Sequence, residues 1–469
     1  MSKPMEVRNP RTGEYDYVII PPQQDVLAQE CNRLRSSQSL WLQLGVEKRL
    51  EALQQWKQEI LTLRDKLVSA LVEDTGRLSI SQLEVDSFLS SLDRWCQLAP
   101  KILQETLKDT SIPFIQLQQT TVPYQLVGVI SPWNFPLLLS TIDAIPALLA
   151  GCAVIIKPSE IAPRFIKPLM TAVNNVPILK DILTFVEGDG VTGTFLVENV
   201  DLICFTGSVE TGKKVAQAAA ISFIPAFLEL GGKDPAIVLA SANLDLATSG
   251  ILWGSVVNTG QSCLSIERIY VAESIFEQFV EQLVQKAQSL QLAYPDLESG
   301  EIGPIIASRQ AGIIQKHLQD AVEKGAVVHC GGEVEKLGGG WWSRPTVLTE
   351  VNHTMKVMTE ETFGPIMPIM PFSSVESAIS LANDTIYGLS AAVFAGTEAE
   401  AIEIGRHIDA GAISINDAGL TAMMHEGEKN AFKLSGLGGS RMGPSSLTRF
   451  LRKKAFLVKK KSIHDPWWF

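Results

Sequence analysis

The sequence predicts an α/β fold built on mostly parallel sheets, and three observations lead there. From about residue 120, short apolar or β-branched runs alternate with helical stretches, each run bounded by Gly, Pro, Ser or Asn. Strands separated by helices imply βαβ units. Upstream, between residues 46 and 72, Leu50, Leu53, Trp56, Ile60, Leu63, Leu67 and Leu71 recur at three-to-four-residue spacing. That period predicts one amphipathic helix with its stripe in the core. Finally, the chain has 469 residues, 46% hydrophobic and 19% charged, a globular composition. At roughly 100–200 residues per domain it holds two or three domains.

The expected strands, in order, are Gln125–Ile130, Cys152–Ile156, Leu202–Phe205, Ala236–Leu239 and Arg268–Val271. In open parallel sheets, ligands bind beyond the carboxyl ends of the strands. Ser131-Pro-Trp-Asn-Phe-Pro136 follows the first strand, Lys157-Pro-Ser-Glu160 the second, and Phe205-Thr-Gly-Ser-Val-Glu-Thr-Gly212 the third. Chemistry is therefore expected at these turns.

Bulk properties exclude several classes. A net charge of −11 argues against non-specific nucleic-acid binding, which needs a basic face. The six cysteines (Cys31, Cys96, Cys152, Cys204, Cys263 and Cys330) are scattered, without a CxxC pair or a His-rich tract. They point to neither a metal site nor a disulfide framework. The first residues lack the apolar core of a signal peptide, and the longest apolar run, Ile145 to Ile156, ends at Lys157. A bilayer span needs about 20 residues. The expectation is a soluble cytoplasmic protein of a reducing compartment.

Cys263 sits in Asn258-Thr-Gly-Gln-Ser-Cys-Leu, among small and polar neighbours. A thiol nucleophile needs such access, although taken alone a single Cys reads more simply as an inert small hydrophobe. Glu229, in Phe227-Leu-Glu-Leu-Gly-Gly-Lys233, is a general base for a water or merely a residue before a turn. Asn134 offers an amide to a developing oxyanion, or else stabilises its own turn. Lys157 and Glu160 suit phosphate and ribose oxygens. The turn at Gly207 presents backbone N–H groups to a pyrophosphate, although it is not the GxGxxG fingerprint.

These motifs, joined by Glu361-Thr-Phe-Gly-Pro365, occur together and in one order. In that combination the chain resembles the NAD(P)-dependent aldehyde dehydrogenase superfamily, from Asn9-Pro-Arg-Thr-Gly-Glu14 to about Lys461. The resemblance implies catalysis by Cys263, Glu229 and Asn134: thiol attack on an aldehyde, an oxyanion held by Asn134, and thioester hydrolysis by water activated at Glu229. It implies cofactor binding by Trp133, Lys157, Ser159, Glu160, Gly207, Ser208, Gly212, Leu230, Glu361 and Phe363. Glu160 would repel a 2′-phosphate, so NAD is expected to be preferred and NADP accepted. The implied fold has a Rossmann-like dinucleotide-binding domain (1–105 and 124–229), an α/β catalytic domain (230–440) and a small β oligomerisation arm (106–123 and 445–469). Residues 106–123 form a hairpin in that arm, and the strand near Ala455–Lys459 pairs across a homodimer or homotetramer.

The chain also departs from the family pattern. Many relatives carry a Lys nine residues after the oxyanion Asn and a Glu in an SGxGRE segment, where this chain has Asp143 and Ser440. A segment bordering the substrate funnel is replaced by Glu428-Lys-Asn-Ala-Phe-Lys433, with His425 nearby. Trp41, Trp253, Trp341 and Trp342 read as core or pocket. Arg449, Arg452, Lys453, Lys454, Lys459, Lys460 and Lys461 precede Trp467-Trp-Phe469. A solvated strand edge is expected there in preference to a membrane contact. Two rival readings stand beside hydrolytic oxidation: transfer of the acyl group to coenzyme A, and a non-catalytic binding protein. The presence of Glu229 argues against the first, and the three catalytic groups together argue against the second.

Overall fold

The computed structural model describes residues 3–104, 106–112 and 114–460. Leu126–Ile130, Ala153–Lys157, Leu183–Phe185, Leu202–Thr206 and Ala226–Glu229 form one parallel sheet. Numbered along the chain, their spatial order is 3-2-1-4-5. Every residue of Leu126–Ile130, Ala153–Lys157 and Leu202–Thr206 is buried. That explains why these strands read as continuous apolar runs: helices cover both faces of a parallel sheet. The order reverses between the first and fourth strands, which opens a crevice at their carboxyl ends. The short strand Gly436–Leu437 joins this sheet antiparallel to Ala226–Glu229, although it comes late in the chain.

A second sheet of seven strands runs Val327–Cys330, Thr346–Thr349, Ile366–Phe372, Ile266–Ala272, Asp234–Val238, Ser390–Phe394, Ala412–Ile415. Only the first pair is antiparallel. The protein thus has the expected α/β class. Leu451–Lys459, Ile115–Pro123 and Thr106–Asp109 make a three-stranded antiparallel ribbon, which includes the anticipated hairpin. Its long outer strand pairs with Ile115–Pro123 over its full length, so one edge of it is satisfied within the chain.

Three expectations change. The helix expected over 46–72 is two helices, Gly45–Thr62 and Arg64–Thr75, because Leu63 leaves helical geometry. Leu53, Trp56, Ile60, Leu67 and Leu71 still face the core, where Trp56 meets Phe88 edge to face at 5.1 Å. Arg449 does not belong to the solvated edge: its side chain is 4% exposed and pairs with Asp143. Trp41 and Trp342 are core residues, whereas Trp253 is 47% exposed. Lys461 and Trp467 to Phe469 lie outside the described residues. Among the described residues, no helix is long and apolar enough to cross a membrane.

Candidate active site

The segment that carries Cys263 is built against backbone preference. After helix Leu244–Val256 the chain passes through three left-handed residues, Asn258 (φ 57°), Thr259 (φ 57°) and Gly260 (φ 69°). For residues other than Gly, such geometry costs about 1–3 kcal/mol each. Buried Gln261 offsets it: its Nε2 donates to the Asn258 and Pro304 carbonyls (3.1 and 3.2 Å), and its Oε1 accepts from the Ile306 N–H (2.9 Å). Thr259 donates to the Gly303 carbonyl at 3.1 Å. At Gly260 any Cβ would strike the Gly364–Pro365 backbone, so glycine is required. Cys263 emerges half-buried from this fixed loop, just before strand Ile266–Ala272. Desolvation, reinforced by Glu361, Asp234 and Glu229, pushes its thiol up to about 12.

Asn134 is buried against the same loop. Its Nδ2 donates to the Gln261 carbonyl at 3.0 Å, two residues before Cys263. Its own carbonyl accepts from Arg77 Nη2 (3.0 Å) and Asn258 Nδ2 (2.9 Å). Glu84 accepts the N–H groups of Leu137 and Leu138 at 3.1 Å each, tying down the turn of helix that follows. The amide is thus locked onto the cysteine loop from both sides of its peptide.

Glu229 ends strand Ala226–Glu229, in register with Thr206 on one side and Gly436 on the other. Its carbonyl accepts the Gly207 N–H at 3.1 Å, which joins the strand to the glycine turn. The chain then passes so close to Cys263 that a Cβ on Gly232 would strike the Cys263 carbonyl. The Gly232 N–H donates to Glu361 Oε1 at 2.9 Å. Burial, with Glu267 adding, pushes the Glu361 carboxyl up to about 8. The segment that carries Glu361 and Phe363 hangs from Glu267, which accepts the N–H groups of Thr362 and Phe363 at 2.7 Å each and Lys233 Nζ at 2.6 Å. Phe363, itself left-handed (φ 53°), meets Trp133 edge to face at 5.5 Å.

A cleft of about 550 Å³ opens where the strand order reverses, lined by Trp133, Lys157, Ser159, Glu160, Gly207 and Ser208 among others. Such a volume is within the range of ligand pockets. Lys157 Nζ donates to the Pro158 carbonyl (3.0 Å) and lies 3.6 Å from Glu160, and burial lowers its affinity for a proton. Ser208 caps helix Val209–Ile221 by accepting the Thr211 N–H at 3.3 Å. A Cβ on Gly207 would press the Phe205 ring, and one on Gly212 would collide with Leu230. The residues therefore fit a dinucleotide: a helix start floored by glycine for pyrophosphate, and Lys157 with Glu160 for ribose hydroxyls.

Of the sequence-predicted residues, Trp133, Lys157, Ser159, Glu160, Gly207 and Ser208 line the cleft, Gly212 and Leu230 pack against each other, Glu361 and Phe363 lie on the segment hung from Glu267, and Asn134 and Glu229 act on the loop of Cys263. Glu267, Lys233, Arg77, Glu84 and Gln261 were not singled out from sequence. Gln261 and Lys233 lay inside recognised motifs; Glu267, Arg77 and Glu84 had no local signal.

Residues 1–456 match the model of the aldehyde dehydrogenase family. The chain belongs to that family. Aldehyde dehydrogenases are NAD(P)-dependent oxidoreductases, and this chain is one of them. It is 35% identical over 452 residues to a 4,4'-diapolycopene aldehyde oxidase of Methylomonas sp, covering 95% of this chain and 84% of that protein. A Mycolicibacterium smegmatis protein, provisionally named a succinate-semialdehyde dehydrogenase [NADP(+)], is 33% identical, with 92% and 84% covered. Among solved structures, PutA of Anabaena variabilis, proposed to be an aldehyde dehydrogenase, has a TM-score of 0.99 at 72% identity, and each chain is covered completely. Betaine aldehyde dehydrogenase of Staphylococcus aureus, solved with NAD+, has a TM-score of 0.92 at 28% identity, covering 100% of this chain and 93% of that one.

Proposed function

We propose that this aldehyde dehydrogenase yields a free carboxylic acid through a covalent adduct on Cys263. What carries the reading is the convergence of three groups on the cysteine loop: a half-buried thiol, an amide locked onto its loop, and a carboxylate whose charge acts on the thiol. The Cys263 sulfur bonds to the aldehyde carbon while its proton is released, and the carbonyl electrons move to oxygen. Asn134 Nδ2 and the Cys263 N–H hold that oxyanion. A bound nicotinamide dinucleotide would supply the acceptor for the hydride that leaves the former aldehyde carbon. Collapse of the oxyanion leaves a thioester. Glu229 then takes a proton from water, the resulting hydroxide adds to the acyl carbon, and the carbon–sulfur bond breaks as the proton held by Glu229 passes to the departing sulfur, restoring the thiol and the carboxylate.

Trp133 and Phe363 would flank the nicotinamide end, Glu361 would meet its ribose, and Lys157, Ser159 and Glu160 would hold the adenosine ribose. Gly207 and Ser208 would underlie the pyrophosphate, with Gly212 packing the helix against Leu230. Glu160 favours NAD, since a 2′-phosphate would face a like charge. We assign 1–105 and 124–229 to cofactor binding, 230–440 to catalysis, and 106–123 with 445–469 to an arm. The arm's outer strand exposes Phe456, Leu457 and Val458, which supports a homo-oligomer.

For the substrate tail, Phe135, Leu138, Leu139 and Ile142 form a half-buried apolar stripe at helical spacing directly after Asn134. That stripe favours an apolar aldehyde, in line with the polyene aldehyde in the name of the Methylomonas relative. The test is reduced-nicotinamide formation across short, long, aromatic and ω-carboxylated aldehydes, with NAD or NADP, and with or without coenzyme A. Long apolar aldehydes are expected to be oxidised with the highest kcat/KM, with no need of coenzyme A. An absolute requirement for coenzyme A would overturn the hydrolytic reading, and preference for ω-carboxylated aldehydes the apolar one. Asn134→Ala is expected to lower kcat by about 10²–10³, the usual effect of losing one oxyanion donor. Steady-state rates check this, with the melting temperature as the control for folding.

A further inference from the structure

Asp143, one of the two departures from the family pattern, sits in a buried cluster with Arg449 and with Arg441, the chain neighbour of Ser440. Asp143, 1% exposed, accepts from Arg441 Nη2 at 2.7 Å and Nε at 3.3 Å, and also from Arg449. Burial works against the charge of Asp143, but the two guanidinium groups together hold it below its ordinary value. Ser440 accepts the N–H groups of Lys429 and Met442 (3.0 Å each) and donates to the Met442 carbonyl. Arg441 also donates to the Thr206 hydroxyl. Arg449 stacks over Phe227 and Phe450, at 5.0 and 5.1 Å.

Strand geometry brings this cluster to the general base. Thr206 and Glu229 are paired in the parallel ladder, so their side chains leave the sheet on one face. Phe227 is two residues before Glu229 on the same strand and shares that face. Arg441 is fixed on Thr206 and Arg449 on Phe227, so both guanidinium groups stand where the Glu229 carboxylate emerges. Two buried positive charges against Asp143 alone leave one unbalanced, and buried charges are tolerated only when paired. Glu229 is the other carboxylate whose charge acts on Arg441. The charges acting on Arg441 agree: burial opposes its protonated form, while Asp143 first and Glu229 next support it. Cys204, beneath them on strand Leu202–Thr206, is buried and protonated, and adds no charge. The charge of Glu229 also acts on the thiol of Cys263.

We infer that Arg441 is a positioning residue for hydrolysis: clamped between Asp143 and Thr206, it holds the Glu229 carboxylate in the place from which it takes the proton of water. This rests on the reading of Glu229 as the general base. Arg441 touches neither substrate nor cofactor in this role, so its loss should affect thioester hydrolysis and spare hydride transfer.

The test uses the full-length enzyme with NAD and an aldehyde it oxidises, followed by stopped flow. The first-turnover burst of reduced nicotinamide reports acylation, and the later steady state reports hydrolysis. In Arg441→Gln the burst rate is expected to stay within about twofold of wild type while the steady state falls about tenfold and acyl-enzyme accumulates by intact mass. Arg441→Lys should recover most of the loss. Thr206→Val keeps every charge and nearly every atom of volume, yet frees Arg441 from the strand; it should slow the same step by roughly two- to fivefold. If Arg441→Gln does not fold, Thr206→Val decides alone. Equal loss in both phases, or unchanged hydrolysis in both variants, overturns the inference. A slow Glu229→Gln beside normal Arg441→Gln and Thr206→Val refutes only the role of Arg441. A Glu229→Gln of normal rate refutes the reading beneath it.

Discussion

Cys263→Ala is expected to lower aldehyde oxidation by about 10⁴-fold or more while leaving a folded protein that binds dinucleotide. The size follows from the lack of a substitute. Hydride leaves readily only from a carbon bearing an electron-rich adduct, and the thiol supplies it. Cys204 and Cys152 are buried in the core, and burial pushes both thiols far up, so neither can take over. The structural cost is small. The side chain is half-buried, and the loop around it is held by Gln261, Asn134 and Gly232, so truncation removes one sulfur for about 1 kcal/mol. Steady-state assay with NAD, paired with the rise in melting temperature on adding NAD, checks both halves. Turnover at the wild-type rate would dispose of the covalent route.

Glu229→Gln should act on the second half of the reaction. The amide has the same shape but cannot take a proton, so hydrolysis is expected to slow by about 10²–10⁴, the usual worth of a general base. A burst of reduced nicotinamide should appear, followed by a stall, with the acyl mass retained on Cys263. The first half should not weaken. Glu229 is one of three carboxylates that push the Cys263 thiol up to about 12, after burial itself. Removing one negative charge lowers that value, so iodoacetamide should alkylate Cys263 faster in the variant at any pH below about 12. Slower alkylation would mean that the substitution had disturbed the loop, and an unchanged kcat would remove Glu229 from its role.

How much of this was legible in the sequence depended on whether a signal was local. Buried parallel strands announce themselves as apolar runs with turn residues at each end, so Leu126–Ile130, Ala153–Lys157 and Leu202–Thr206 could be placed within a residue, whereas the short strands Leu183–Phe185 and Ala226–Glu229 of the same sheet passed unread. Cys263, Asn134 and Glu229 sit in short motifs whose order is more telling than any one of them. The break at Leu63 left no Gly or Pro, and the apolar stripe runs straight through it. The long helix Leu78–Ile102 passed unread, although Phe88, Leu92, Trp95 and Ala99 keep helical spacing. The supporting charges were out of reach for another reason. Glu84 is 53 residues from the N–H of Leu137 it accepts, and Arg441 and Arg449 are 298 and 306 from Asp143. In sequence Arg449 looked like one more member of a basic run; only the folded chain turns it inward.

The carboxylate of Glu267 has a consequence for how the reacting parts keep their alignment. It lies on the strand that begins three residues after Cys263, and from it hang Thr362 and Phe363. The thiol and the aromatic ring on the cofactor side are therefore measured from one common datum. If strand Ile266–Ala272 shifts within the sheet, both move with it, and the gap between them is preserved. Errors of placement do not accumulate through two independent supports, so the separation of the Cys263 loop and the Phe363 segment is set by one strand.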